Sequence, residues 1–278
     1  MKHVYLVTGA TSGIGLAVAT ALAARADGTV AIVGRDRTRT EAVAEQLSGG
    51  TGTRVEPFVA DLSHLDQVRL LAAEVLDRYD RLDVLVNNAA VAFGPAEEIF
   101  TTNHLAPFLL TNLLRDRLIR TGASRVVGVA SSMHRQVREI PWDRLGVDTH
   151  GLNQYQMSKL LTVCFTRALA RRLGGTGVTA NAADPGFVRT GLGRGATGAF
   201  KIFLTLARPF QASAATGAQT VVYLAVDPAV ADVTGGYFAS RRQAEPSQLA
   251  RDDEAGERLW QLSEQLTGLG HGHDRQTT

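Results

Sequence analysis

Thr8-Gly9-Ala10-Thr11-Ser12-Gly13-Ile14-Gly15 is the stretch that decides how this chain folds. It follows Val4-Tyr5-Leu6-Val7, an apolar run that predicts a buried strand, and it opens a helix predicted over 14–24. Glycines at a strand-to-helix turn let the backbone bend sharply and let a ligand approach it closely. The first N–H groups of the helix have no partner inside it, and the helix dipole favours an anion beside them. By itself such a turn could also be a tight bend that binds nothing.

The 278 residues, 45% hydrophobic and 20% charged, suit one large α/β domain with a substantial core. A formal net charge of +2 with scattered basic residues, the nearest cluster being Arg35, Arg37 and Arg39, argues against a nucleic-acid partner. No apolar run reaches the length of a membrane span, and the N-terminus shows no secretory pattern, so a cytoplasmic location is expected. The single cysteine, Cys164, sits at helical spacing with Leu160, Leu161, Phe165 and Leu169, which predicts a buried structural thiol. The seven histidines have no ligand spacing, and no metal site is expected.

Thr29–Gly34 predicts the second strand. Its end falls about twenty residues past the turn, where a dinucleotide fold reads the adenosine ribose. The tip is Gly34 followed by Arg35 rather than an acid, which suits a 2′-phosphate and points to NADP(H) over NAD(H). Asp36 is open to two uses, pairing with Arg35 or with the ribose. A helix over 38–47 follows, ended by Ser48-Gly49-Gly50. Strands follow at 54–60, 82–86, 125–130 and 177–183, with a last one at 236–239. Helices lie between them around 68–79, 102–120, 155–173 and 213–226, and another lies around 255–266. Apolar strands alternating with helices mean a doubly wound parallel sheet of the Rossmann type, about seven strands in one domain over 1–267, with helices on both faces. Residues 268–278 read as a disordered tail. The glycine turn, Arg35, Asp61 and Asn88 all fall at strand carboxyl ends and so meet in one crevice.

Pro107 stands four residues after Asn103, so the Asn103 carbonyl would lack its usual helical donor and be left for a water. Ser132 ends a strand on the ligand side. Tyr155 and Lys159 lie four apart on one helix face, where an ammonium would lower the phenol pKa for proton exchange with an alcohol or carbonyl. Residues 187–212, apolar among glycines, read either as a substrate lid or as an ordinary packed helix.

In order and spacing, several motifs resemble the short-chain dehydrogenase/reductase family. They are Thr8-Gly9-x-x-x-Gly13-x-Gly15, Asp61, Asn87-Asn88-Ala89, Asn103, Ser132, Tyr155-x-x-Ser158-Lys159 and Pro185-Gly186-x-Val188-x-Thr190. Asn103-His104-Leu105, Phe165-Thr166-Arg167 and Gly217-Ala218-Gln219-Thr220 look like its retinol dehydrogenase-like branch. The resemblance implies Tyr155 as general acid/base, Lys159 as its modulator and ribose holder, and Ser132 as the group orienting substrate oxygen. It implies that Asn103 holds a relay water. The cofactor would lie against Gly9, Thr11, Ser12, Gly13, Ile14, Gly15, Arg35, Asp61, Leu62, Asn88, Ala89, Tyr155, Lys159, Pro185, Gly186, Val188 and Thr190. The substrate would be a small apolar carbonyl or alcohol, and relatives suggest a homodimer or homotetramer through the helices carrying Asn103 and Tyr155. Four positions depart from the family pattern: Ala90 and Ala106 replace glycines, Asp184 stands where the branch often has histidine, and His134 comes two residues after Ser132 rather than three. A non-catalytic NADP-binding regulatory module is the alternative; such proteins usually lose the tyrosine or lysine kept here.

Overall fold

The computed structural model describes residues 2–147, 152–188 and 212–269. Its core is one sheet in the order β3-β2-β1-β4-β5-β6-β7-β8. The strands β1 (His3–Thr8), β2 (Gly28–Gly34), β3 (Arg54–Val59), β4 (Val84–Asn87), β5 (Arg125–Val129), β6 (Thr179–Asp184) and β7 (Tyr237–Ala239) pair in parallel. An eighth strand, β8 (Arg242–Ala244), pairs antiparallel with β7. The sequence pattern missed it because its turn is Ser240-Arg241. Both residues take the left-handed backbone (φ 50° and 61°) that usually announces itself by Gly or Asn.

Side chains alternate across the sheet. Tyr5 and Val7 enter the core under α1 (Gly13–Ala23), α2 (Arg37–Thr51) and α7 (Ala214–Val226). Leu6 enters the opposite core, under α3 (Leu65–Arg78), α5 (Ala106–Thr121) and α6 (Leu152–Arg172). The strand order reverses at β1 and β4, and that switch point leaves a crevice at their carboxyl ends.

Two helices depart most from the expected bounds. α2 runs on through Gly49 and Gly50 to Thr51, and stops only where Gly52 turns left-handed (φ +68°) and its N–H returns to Ser48 O. The helix expected over 102–120 begins earlier, as α4 (Ala96–Phe100), and passes through a wider π-turn, Thr101–Leu105, before α5. There the Ala106 N–H reaches back five residues to Thr101 O. Pro107, at the start of α5, cannot donate, and the wider turn accommodates that gap.

After the short α8 (Gln248–Arg251), α9 (Asp253–Thr267) closes over α6. Its Trp260 packs with ring centroids 4.9 Å from Phe108 of α5 and 5.9 Å from Phe165 of α6. The Arg172 guanidinium lies 3.9 Å from the Trp260 ring centroid. The C-terminal helix thus covers the parts of α5 and α6 that carry Phe108 and Phe165. Gly268 ends α9 left-handed and Leu269 packs on the core, while the rest of the expected tail lies outside the described residues. Of the expected lid, Val188 bridges Ala212 and Phe187 is half exposed; residues 189–211, with Thr190, lie outside the described residues. Among the described residues no helix is long and apolar enough to cross a membrane, and no cluster of side chains could hold a metal ion. Cys164 is buried, and burial pushes its thiol up to about 12.

Candidate functional site

The glycine turn forms a cradle without room for side chains. Gly9 (φ +64°) would place a Cβ 2.8 Å from Ala89 Cα, and a Cβ on Gly15 would collide with Asn88 Nδ2 and the Gly9 carbonyl. Ser12 stands at the N-cap of α1, but its side chain caps nothing, and no acid lies in the first turn. The first N–H groups of α1 therefore point, with the positive end of its dipole, towards whatever enters the turn.

β4 ties the cradle down. Thr8 Oγ1 donates to Val86 O (3.2 Å) and accepts from the N–H groups of Asn88 and Ala89 (3.0 and 3.1 Å). Asn88 Nδ2 donates to the carbonyls of Thr8 (2.8 Å) and Gly9 (3.2 Å). Asn88 thus both lines the cleft and clamps its floor.

A cleft of about 460 Å³ opens over these groups. Gly9, Thr11, Ser12, Gly13, Ile14, Gly15, Arg35, Asp61, Leu62, Asn88 and Ala89 are among its lining, with Glu98 and Thr102 from the helix after β4, so the glycine turn, Arg35, Asp61 and Asn88 meet in one crevice. Asp61 is half-buried. Burial raises its pKa, but hydrogen bonds from the Ser63 hydroxyl and N–H outweigh that and hold it below the ordinary carboxylate value.

At the β2 tip, a side chain on Gly34 would run into Thr40 and Thr11. An acid could not stand there, so ribose reading by a strand-tip carboxylate is sterically closed. Asp36 is used otherwise: its carboxylate caps α2 by accepting from Arg39 N at 2.8 Å. Arg35 is exposed and lines the cleft beside Arg39, whose Nε donates to Thr11 O at 3.2 Å. The sequence reading had not assigned Arg39 to the site.

Ser132, Tyr155, Lys159, Pro185, Gly186 and Val188 lie outside this cleft's lining, at the neighbouring strand ends. Ser132 opens a 3₁₀ turn (Ser132–Gln136) just past β5 and is exposed. Tyr155 and Lys159 share one face of α6, with the ammonium 5.4 Å from the phenol ring centroid. Lys159 is 4% exposed, and its Nζ donates to Val129 O, the end of β5, at 2.8 Å. Burial pulls the Lys159 pKa down to about 8, with the Asp184 carboxylate acting against that fall. The expected lowering of the Tyr155 pKa is not what this arrangement produces. Burial of the phenol, with the Asp184 charge adding to it, pushes Tyr155 above its ordinary value, while the Lys159 ammonium is directed at Val129 O.

Asn103 has a further role that its spacing did not reveal. Its buried side chain accepts from Val91 N and donates to Val91 O, both at 2.8 Å, and donates to Ser158 Oγ at 2.9 Å. Ser158 in turn donates to Tyr155 O at 2.8 Å. The π-turn, the loop after β4 and the first turn of the catalytic-type helix are thus locked through one amide.

Comparison with known proteins agrees with this geometry. The short chain dehydrogenase family model matches residues 3–198. Retinol dehydrogenase 13 of Homo sapiens is 40% identical over 280 residues, which cover 95% of this chain and 84% of that protein. Retinol dehydrogenase 14 of Mus musculus is 39% identical, covering 95% and 85%. Among solved structures, an actinorhodin polyketide ketoreductase with NADPH superposes with a TM-score of 0.70 at 27% identity, covering 86% of this chain and 95% of that one. A blue fluorescent protein from a metagenomic library, in complex with NADPH, gives the same TM-score and identity over 85% and 95%. A glycine cradle at the sheet's switch point beside a Tyr-x-x-x-Lys helix, matched along nearly the whole chain, places this protein in the short-chain dehydrogenase/reductase family of oxidoreductases, on its retinol dehydrogenase-like branch.

Proposed function

We propose that the chain is an NADP(H)-dependent oxidoreductase that interconverts the alcohol and carbonyl forms of a small apolar substrate. The cleft fits the cofactor's charge and shape. The glycines at 9 and 15 let the turn pack closely on Asn88 and Ala89, and the cleft it lines leaves room for a pyrophosphate against the first turn of α1. Arg35 and Arg39 flank the place where Gly34 bars an acid, which suits a 2′-phosphate. NADPH in the superposed ketoreductase and blue fluorescent protein supports the same choice. When bound, the nicotinamide would supply or accept the hydride.

The chain's own residues handle the proton and the substrate oxygen. Tyr155 Oη would give its proton to the oxygen during reduction and take it back during oxidation. Its high pKa keeps the phenol protonated over the neutral range, which suits reduction. Lys159 would hold the nicotinamide ribose and stabilise the phenolate that forms. Ser132 Oγ would donate a hydrogen bond to the same oxygen and orient it. The Asn103 side chain fixes α6 at the Tyr155 turn, and its carbonyl would hold the relay water. Pro185, Gly186, Val188 and Thr190 would border the nicotinamide, and 187–212 would close over the substrate. A homodimer or homotetramer is part of the proposal, built on faces other than the aromatic one that Trp260 covers.

The observation that carries the reading is Lys159 Nζ on Val129 O, which sets the Tyr155–Lys159 pair at the sheet edge that also carries the cradle. The test is NADPH oxidation over hydrophobic aldehydes, ketones and quinones. Tyr155→Phe should lower turnover on the order of 10²- to 10⁴-fold, the usual share of proton transfer, and leave NADPH affinity within a few-fold. Turnover retained in Tyr155→Phe would sink the assignment.

A further inference from the structure

One buried carboxylate at the sheet's active edge has no role so far. Asp184 ends β6 and is 5% exposed. It follows Ala183, the register partner of Val129, whose carbonyl takes Lys159 Nζ. Paired strands run about 4.8 Å apart, so Asp184 and the Lys159 ammonium sit across one strand gap. Ala182 belongs to the core that α6 covers with Leu160 and Cys164, and alternation puts the Asp184 side chain on that same face. Two hydrogen bonds hold the carboxylate there. Oδ2 accepts from Tyr237 Oη at 2.6 Å, and Oδ1 accepts from Gly186 N at 2.8 Å.

We propose that Asp184, held by Tyr237, is a positioning residue for the proton transfer assigned above: its fixed negative charge keeps the Lys159 ammonium charged inside the cleft and governs when Tyr155 releases its proton. The inference rests on that assignment of Tyr155 and Lys159. Burial lowers the Lys159 pKa and raises that of Tyr155, and Asp184 is the charge that acts on both, upward in each case. Among the described residues, Asp184 is the charged group acting on both members of the pair. Tyr237, on β7, is the donor to Asp184 and is held protonated by burial and by that bond. His134, on the Ser132–Gln136 turn, is buried and below its ordinary pKa through burial. Its Nε2 accepts from Ser247 N, so its Nδ1 donates to Ser131 O and the ring is neutral. The Arg135 guanidinium lies 5.7 Å from the Tyr237 ring centroid.

The experiment is the pH profile of kcat/KM for NADPH-dependent reduction of a medium-chain aldehyde by the whole protein, from about pH 6 to about pH 10. Asp184→Asn keeps the shape but removes the charge, and its single oxygen can accept from Tyr237 or from Gly186 N, not from both. Its alkaline limb should move down by about one pH unit, the low end for a neighbouring charge, because Lys159 and Tyr155 both lose their protons more readily. NADPH affinity of the same variant should match the wild type at low pH and weaken as the pH rises. Asp184→Glu should restore the wild-type limb. If Asp184→Asn does not fold, Tyr237→Phe is read instead. It removes the phenol that shares the carboxylate's charge, and its limb should move up. A limb that stays in place in the variant that folds, with rates lowered evenly across the range, overturns the inference and leaves a merely structural carboxylate. An inactive Tyr155→Phe beside an unmoved Asp184→Asn defeats this inference alone; an active Tyr155→Phe defeats the assignment beneath it.

Discussion

Replacing Asn103 by alanine separates two roles at one residue. The backbone carbonyl that would hold the relay water survives the change; the side-chain clamp does not. Alanine removes three buried hydrogen bonds, two to Val91 and one to Ser158. At about 1 kcal/mol net for each, the loss is about 3 kcal/mol. It is no smaller for leaving Val91 N–H and C=O without partners. For a domain of this size each kcal/mol moves Tm by roughly 2–4 °C, so Tm should fall by roughly 6–12 °C. Ser158 loses its donor and, with it, the tie that holds the Tyr155 turn, so kcat should fall while NADPH affinity stays within a few-fold. Asn103→Asp refines the test, because a carboxylate can still accept from Val91 N but cannot donate to Val91 O or Ser158. It should destabilise nearly as much as alanine. Thermal melts with and without NADPH, together with initial rates, read both effects. An Asn103→Ala protein melting within about 2 °C of wild type, less than 1 kcal/mol on that scale, would refute the clamp.

Other expectations rest on separate features. Gly15→Ala would drive a Cβ into Asn88 Nδ2 and the Gly9 carbonyl, so NADPH affinity by fluorescence titration should drop by at least about tenfold; an unchanged Kd would show that the cradle is not the binding site. Arg35→Ala should weaken NADPH by about tenfold or more, the worth of one charged hydrogen bond, and leave NADH nearly unaffected. Equal affinity of the wild type for both cofactors would remove the 2′-phosphate argument. His104 is buried among aromatic rings, and burial pulls its pKa down to about 3, so the fold holds it neutral. Its contribution is whole above about pH 6.5 and is lost as the pH falls towards 3, by up to about 1.4 kcal/mol per pH unit. Urea melts of His104→Gln should show a flatter acid slope; an unchanged slope would show that His104 does not drive it.

The sheet and the nucleotide half of the site were legible because their signals are local. Apolar runs mark the strands, and a steric exclusion such as that at Gly34 shows in the sequence as a glycine. The eighth strand was hidden by a left-handed turn at Ser240 and Arg241, residues that do not advertise it. Arg39 stood in plain view beside Arg35 and Arg37, but which guanidinium meets the cleft depends on where α2 begins, and the Asp36 cap sets that. Pro107 marked a missing donor for the Asn103 carbonyl, but neither the π-turn nor the Asn103 side-chain clamp could be read from it. The clamp's partners, Val91 and Ser158, lie 12 and 55 residues away, and only the fold brings them together. The Asp184–Tyr237 pair is hidden in the same way, by a separation of 53 residues. The direction of the Tyr155 shift was misjudged because helical spacing places Lys159 nearby but does not say that its ammonium turns to Val129 O.

The Thr8–Asn88 clamp carries a consequence for how the molecule is made. Its partners are 80 residues apart, and β2 and β3, which build out the sheet on the other side of β1, lie between β1 and β4 in the chain. A chain leaving the ribosome N-terminus first presents the glycine turn early, but with nothing to hold its carbonyls. Closing so distant a contact is a slow, entropically costly step. Cofactor can therefore act as a folding ligand only after β4 docks. NADPH added to a refolding reaction should slow unfolding of the finished protein without speeding the steps before β4 docks, since only species with the clamp closed can bind it.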